Sequence, residues 1–275
     1  MAALRSFLYK KLNAIYIGGM DLKILLSNDD GIYSDGIRQL AVSLSEIGQV
    51  FVVAPDREQS ATGHAITMHQ PLRSKKIKYF DTNIDAWWVN GTPADCVKLG
   101  VESLLKLRPD VVVSGINRGE NLGTDVIYSG TVSAAIEGAI FGIPSFAFSY
   151  AEYDSPDFKL PAAIAKELLV KLLSFDRLEN NILNVNIPAV KEAGDLAGVR
   201  ITKLGVKKYK NNFEERKDPR GNSYYWLAGE LVHDVNDENT DIYAIKNKYI
   251  SITPMNIDLT NYGLIEKIRG WKLNI

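Results

Sequence analysis

Residues 24–36 read ILLSNDDGIYSDG, an uninterrupted apolar segment that runs straight into two aspartates and a glycine. A short aliphatic run bounded by such a cluster reads as a buried strand that ends in a sharp turn. The pattern recurs along the chain. KILLS (23–27), VFVVA (50–54), DVVVSG (110–115), PSFAFS (144–149) and ILNVNIP (182–188) are all apolar runs of strand length. Between them, residues 36–47, 94–105, 132–141 and 162–173 carry apolar side chains at i, i+3 and i+4, the period of helices. Strands that are apolar throughout, alternating with helices, predict a mostly parallel sheet covered on both faces, the doubly wound α/β (Rossmann-like) class. Ligands of such sheets bind beyond the carboxyl ends of the strands.

Past residue 190 the pattern changes. SYYWLAGELV (223–232) and NKYISITPM (247–255) alternate and are rich in Tyr, Trp, Ile and Thr, with KDPRGNS as a turn between strands. They predict antiparallel hairpins that pack on the core or on a second subunit. The expected division is therefore a tag or extended start at 1–20, a Rossmann-like core at 21–190 and a β-rich, C-terminal oligomerisation region at 191–275.

With 275 residues, 46% of them hydrophobic, the chain can bury a large core. Its 32 basic and 33 acidic residues nearly cancel, which argues against nucleic acid or an anionic membrane as the main partner. A single cysteine, Cys96, cannot form an intramolecular disulfide and fits a reducing cytoplasm. No apolar run approaches the roughly 20 residues of a membrane helix, and residues 1–20 lack the apolar centre of a signal peptide. The protein is expected to be cytoplasmic.

Within this frame the two aspartates acquire a use. Asp29 and Asp30 follow the first strand, and Gly31 permits a turn that aims both carboxylates at one point. Adjacent carboxylates repel, and a divalent cation removes the conflict; the ordinary alternative is one solvated turn residue and one backbone cap. Two further strand tips carry oxygen donors, Ser60 in PDREQSATGH and Asn117 in INRGENLG. Two carboxylates, a hydroxyl and an amide oxygen suit one hard cation, Mg²⁺ or Mn²⁺, better than zinc. Ser129, Gly130 and Thr131 precede a helix of small residues. There they form either a phosphate cradle or a simple helix cap.

The chain has neither a G-x-x-x-x-G-K-[ST] nor a G-x-G-x-x-G motif, so ATP motors and dinucleotide dehydrogenases are disfavoured. A receiver-type domain needs an aspartate where Asn117 stands. A haloacid-dehalogenase-type phosphatase needs D-x-D-x-T where the chain reads Asp29-Asp30-Gly31-Ile32-Tyr33. A nucleotide-binding module without turnover is the third rival. His64, after the Ser60 loop, is a candidate for contact with the phosphate or leaving group or else a structural histidine, and stays outside the catalytic set; Arg57, Arg118 and Glu120 lie near the tips by sequence and equally suit holding loops, and His69 and His233 are read as structural or exposed. Tyr33 and Tyr128 are candidate faces for a nucleobase.

NDDGIYSDGIRQL (28–40), VVAPDREQSATGHAIT (52–67), NGTPADCVKLG (90–100), SGINRGENLGTDVIYSGTVSAAIEG (114–138) and DIYAIKNKYISITPM (241–255) together resemble the SurE family of stationary-phase survival proteins. The resemblance implies a metal-dependent 5′/3′-nucleotidase acting on nucleoside monophosphates, with short polyphosphate as a further substrate of some members. It also implies a homodimer or homotetramer formed through the C-terminal part. The family's metal ligands fall on Asp29, Asp30, Ser60 and Asn117, and its phosphate loop on Ser129, Gly130 and Thr131. Water is expected to attack the phosphomonoester directly, with Asn117 and the 129–131 loop orienting the phosphate and an aspartate, Asp29 in the first place, taking the proton.

Overall fold

The computed structural model describes residues 22–154, 156–174, 181–210, 213–228, 230–232 and 237–271. Residues 1–20, set aside above, and His233 lie outside them.

The strand that opens the argument is β1 (Lys23–Ser27), and all of it but Lys23 is buried. The chain continues through α1 (Asp35–Leu44), β2 (Gln49–Pro55), β3 (Ser74–Lys78), β4 (Asp85–Val89), α2 (Pro93–Leu99) and β5 (Val111–Arg118). It goes on through α3 (Gly130–Ile140), β6 (Ser145–Ala151), α4 (Lys159–Leu173) and β7 (Ile182–Pro188). The C-terminal part comprises β8 (Gly198–Ile201), β9 (Lys208–Lys210), β10 (Phe213–Lys217), β11 (Ser223–Leu227), β12 (Glu230–Val232), α5 (Asp241–Lys246), β13 (Tyr249–Met255) and α6 (Tyr262–Arg269).

Nine strands form one sheet in the order β3-β4-β2-β1-β5-β6-β7-β13-β8. From β4 to β7 every pairing is parallel, with Ile24 of β1 opposite Val50 on one side and Val111 on the other. The alternation of β1 explains its double burial. Ile24 and Leu26 pack with Ile37, Leu40 and Leu44 of α1 and Leu169 of α4, whereas Leu25 packs with Val97 of α2 and Ala134 of α3. From β1 the chain crosses to β2 on one flank and later returns to β5 on the other, so the crevice between the ends of β1 and β5 is the topological switch point.

Three features depart from the periodicity. The helix expected over 94–105 keeps its α form only to Leu99, before a wider π-type turn at Gly100–Leu104. Strands β3 and β4 extend the sheet where none was expected. β3 is an exposed edge strand carrying Lys75, Lys76 and Lys78, a composition that protects an edge but hides the apolar signal. The 247–255 segment, expected in a hairpin, is instead β13 of the central sheet, antiparallel to β7 and parallel to β8. The hairpin expectation holds for 213–227, where β10 and β11 pair antiparallel around a turn at Asp218–Asn222, and β9 pairs with β12.

Candidate active site

The turn after β1 is closed by its own side chain. Asn28 Nδ2 donates to Gly31 O at 3.0 Å and to Ser34 Oγ at 2.9 Å, while Ile32 N reaches back to Pro55 O at 2.9 Å. Gly31 has φ +93°, and a Cβ there would sit 3.1 Å from the carbonyl carbon of Arg57, so the residue must be glycine for both reasons. The turn thereby separates its two carboxylates. Asp29 faces the amino end of α3, where its Oδ1 accepts a hydrogen bond from the Thr131 hydroxyl. Asp30 faces the end of β5, where its Oδ2 accepts from Arg118 N at 3.2 Å.

The end of β5 is shaped by a break in register against β6, between Ser114 and Asn117. Gly115, at φ +125°, lies where a Cβ would come within 2.3 Å of Phe148 O. Beyond this bulge Asn117 Nδ2 donates to Gly119 O at 2.9 Å and Arg118 O at 3.3 Å. With its nitrogen turned into its own loop, the amide presents its oxygen as the outward atom.

Ser60 sits on the exposed loop after β2, which is tied to the rim from several sides. Gln59 N donates to Asp29 O at 2.8 Å and Gly63 N to Tyr128 O at 3.0 Å. His64 Nε2 lies 2.9 Å from Oε2 of the buried Glu137, and Thr67 binds the carboxylate of the buried Asp95 through both its N–H and its hydroxyl. Ser60 Oγ donates its hydrogen to Glu58 Oε1 at 2.6 Å, which leaves its lone pairs as the remaining ligand positions. Glu58 was absent from the sequence expectations; its place two residues before Ser60 was the available signal.

Ser129 is the N-cap of α3, its Oγ accepting from Val132 N at 3.1 Å. The cap alternative is the one seen here, and the capped helix end also abuts Asp29. His64 is paired with Glu137, and His69 is exposed.

Burial and like charge dominate the electrostatics. Burial, then the neighbouring Asp29 charge, pushes the Asp30 carboxyl up to about 6, against the opposing Arg118 backbone N–H. Burial likewise raises Asp29, with the Thr131 hydroxyl holding it back. Beneath the pair, Ser27 Oγ and Ser114 Oγ, register partners on β1 and β5, and Asn28 Oδ1 are buried without a hydrogen-bond partner. A cleft of about 450 Å³ opens beside Asp30 and is lined by Ser34, Asp35, Glu58, Arg118 and Phe158, among others.

This donor set fits a hard cation. Two carboxylates that resist sharing full charge gain from a cation between them, and a hydroxyl and an amide oxygen are compatible ligands. Among the described residues no three His, Cys, Asp or Glu side chains gather as a metal cluster, so a set built on Asp29 and Asp30 must draw on neutral oxygens as well.

The chain matches the family model described as Survival protein SurE over residues 24–211. It is 50% identical over 253 residues to the 5′-nucleotidase SurE of Alkaliphilus metalliredigens, covering 92% of this chain and 99% of that one. It is 51% identical over 249 residues to the 5′-nucleotidase SurE of Pelotomaculum thermopropionicum, covering 90% and 94%. Its fold superposes on the crystal structure of the SurE protein from Aquifex aeolicus with a TM-score of 0.80 at 42% identity, covering 90% of this chain and 98% of that one. With matches of this extent in family model, relatives and fold, the chain belongs to the survival protein SurE family.

Proposed function

We propose that this chain is a metal-dependent 5′/3′-nucleotidase that releases phosphate from nucleoside monophosphates by direct attack of water. What supports this reading is the placing of Asp29 against the start of α3 and of Asp30 against the Arg118 N–H beside Asn117, on either side of the switch point, in a chain about half identical to proteins named 5′-nucleotidase SurE. One divalent cation, Mg²⁺ or Mn²⁺, is held by Asp29, Asp30, Ser60 and Asn117. When bound, the cation supplies Lewis acidity to a phosphoryl oxygen and acidifies water.

The residues of the chain do the rest. Asn117 and the first turn of α3 orient the phosphate, the latter through the Gly130 and Thr131 N–H groups and the helix dipole. A carboxylate of the aspartate pair takes the proton from the attacking water. The leaving nucleoside occupies the cleft beside Asp30, and the exposed Tyr33, next in sequence to the cleft-lining Ser34, is the candidate stacking face. A phosphoenzyme route through an aspartate nucleophile is disfavoured, because the run Asp29-Asp30-Gly31-Ile32-Tyr33 lacks the D-x-D-x-T pattern of such phosphatases.

Catalysis is assigned to residues 21–190 and self-association, as a dimer or tetramer, to residues 191–275. The exposed Phe213, Tyr225 and Leu227 on one face of the β10–β11 hairpin, with Trp226 exposed on the other, support the second assignment, since exposed aromatic and apolar side chains suit a protein partner. A cytoplasmic setting agrees with the buried thiol of Cys96. Among the described residues no helix is long and apolar enough to cross a membrane.

Phosphate release from a panel of nucleoside monophosphates, with chelator and with Mg²⁺ or Mn²⁺ restored, tests this reading. Release that chelator abolishes and either ion restores is expected. Nucleotide binding without release, or a trapped phosphoaspartate, would overturn it.

A further inference from the structure

The Ser129–Thr131 stretch has so far been credited with the phosphate. The contacts of its hydroxyls point elsewhere. Thr131 is fully buried, and its Oγ1 is hydrogen-bonded to Oδ1 of Asp29, itself 6% exposed and 102 residues away in the chain. A carboxylate is acceptor-rich, and a hydroxyl has one hydrogen to give. Given to Asp29, that hydrogen is not available to a phosphoryl oxygen. Gly130 shows the same pairing from its other side. A Cβ on it would lie 2.7 Å from Asp29 Cβ and 2.9 Å from Asp29 Oδ2, so the helix end approaches the aspartate as closely as a glycine permits. The Ser129 hydroxyl accepts from Val132 N and caps the helix.

We infer that Gly130 and Thr131 form a clamp that positions Asp29 as a cation ligand, with Thr131 fixing Oδ1 and the bare Gly130 Cα backing Oδ2. Thr131 is a positioning residue, and the share of this stretch in phosphate binding falls to its main-chain N–H groups. Outer hydrogen bonds of this kind set the orientation of a metal-binding carboxylate, and their loss typically weakens metal binding about 10- to 100-fold. The inference rests on the cation reading given above, and the test separates the two.

Mn²⁺ affinity is measured without substrate, from the free-ion signal in electron paramagnetic resonance titrations of the full chain. Thr131→Val, which keeps the shape and removes the donor, is expected to weaken Mn²⁺ binding about 10-fold or more. Thr131→Ser, which restores a donor at the same atom, is expected to bind nearly as the parent does. Gly130→Ala, which displaces Asp29 by volume, is expected to weaken binding as well. Circular dichroism at the assay temperature accompanies each variant, and Thr131→Ser serves as the control should Thr131→Val fold poorly. Parental Mn²⁺ affinity in a folded Thr131→Val, with the loss appearing only in KM or in competition by inorganic phosphate, would overturn the clamp and return Thr131 to the phosphate. Equal weakening in Thr131→Ser and Thr131→Val would overturn it too, since the hydroxyl would then not matter. A parent chain that neither binds Mn²⁺ nor releases phosphate would instead overturn the cation reading itself.

Discussion

The rim of the sheet and the β10–β11 hairpin lie at opposite extremes of the same chain. At the rim, carboxylates that are buried or half-buried are engaged from distant segments, Asp29 by Thr131, Asp30 by Arg118 and Glu137 by His64. In the hairpin, apolar side chains are exposed, with Trp226 59% and Leu227 78% accessible. Each inverts the usual rule that polar groups face water and apolar groups avoid it. Buried charge costs free energy unless it is matched, and exposed aromatic surface is stabilised by covering it. Both regions thus hold surfaces whose cost a partner would offset, a small cation under the proposal for the rim and a protein surface under the proposal for the hairpin.

The strongest break in the comparison is Asp29→Asn. It is expected to lower phosphate release about 10²- to 10³-fold, the scale of losing one preorganised charge at a reacting centre, while a melting curve in chelator shows the fold intact. Turnover close to the parent's would remove the rim from the chemistry.

Two glycines sharpen the contrast next. Gly115→Ala places a methyl where Phe148 O would be 2.3 Å away, at φ +125°, and is expected to cost about 2–3 kcal/mol of stability together with most activity. Gly221→Ala in the hairpin turn meets the same positive-φ penalty, at +85°, but with nothing within 4 Å. About 1 kcal/mol is expected there, with activity preserved. Urea melts of both variants check the difference; equal losses would mean that crowding at the rim is unimportant.

Charge at the rim is also open to titration. In the unfolded chain Asp30 has its ordinary value of 3.8, and in the cation-free fold it rises to about 6. Its contribution is therefore fully present below the lower value and is lost as pH rises through the higher one. Relative to Asp30→Asn in chelator, the parent chain is expected to lose on the order of 1–3 kcal/mol across that window. Added Mn²⁺ is expected to reverse the loss by favouring the ionised form. A pH-independent difference between the two melting temperatures would contradict the buried like-charge pair.

The mildest effect on turnover is expected from Trp226→Asp in the hairpin. Sedimentation should shift to a smaller species while phosphate release per chain holds. An unchanged sedimentation profile would show that the exposed face of the hairpin carries no subunit contact.

Much of this was legible from residue order. β1, β2, β5, β6 and β7 are mostly apolar because both faces of the sheet are covered, and that pattern needs no partner to be read, even though β7 buries Asn184 and Asn186. β4 was missed because DAWWV starts with a charge and leaves its tryptophans half-buried, and β3 because three lysines occupy an edge. β13 looked like a hairpin strand, since its alternating Tyr, Ile and Thr do not reveal which neighbour it pairs with. In the candidate site, Asp29, Asp30, Ser60 and Asn117 were legible as oxygen donors at strand ends. Glu58 behind Ser60 was not singled out.

What residue order determined by itself was the class of fold and the kind of chemistry: period-2 and period-3.6 apolar patterns, and oxygen donors confined to the tips of strands. Which atoms meet was settled by the packed fold. Thr131 finds Asp29 across 102 residues, and β13 takes its place beside β7, because the crossovers of the sheet bring those segments together. Periodicity is a local property that each segment carries alone, whereas a hydrogen bond between distant segments exists only once the packing of the whole sheet has set their distance.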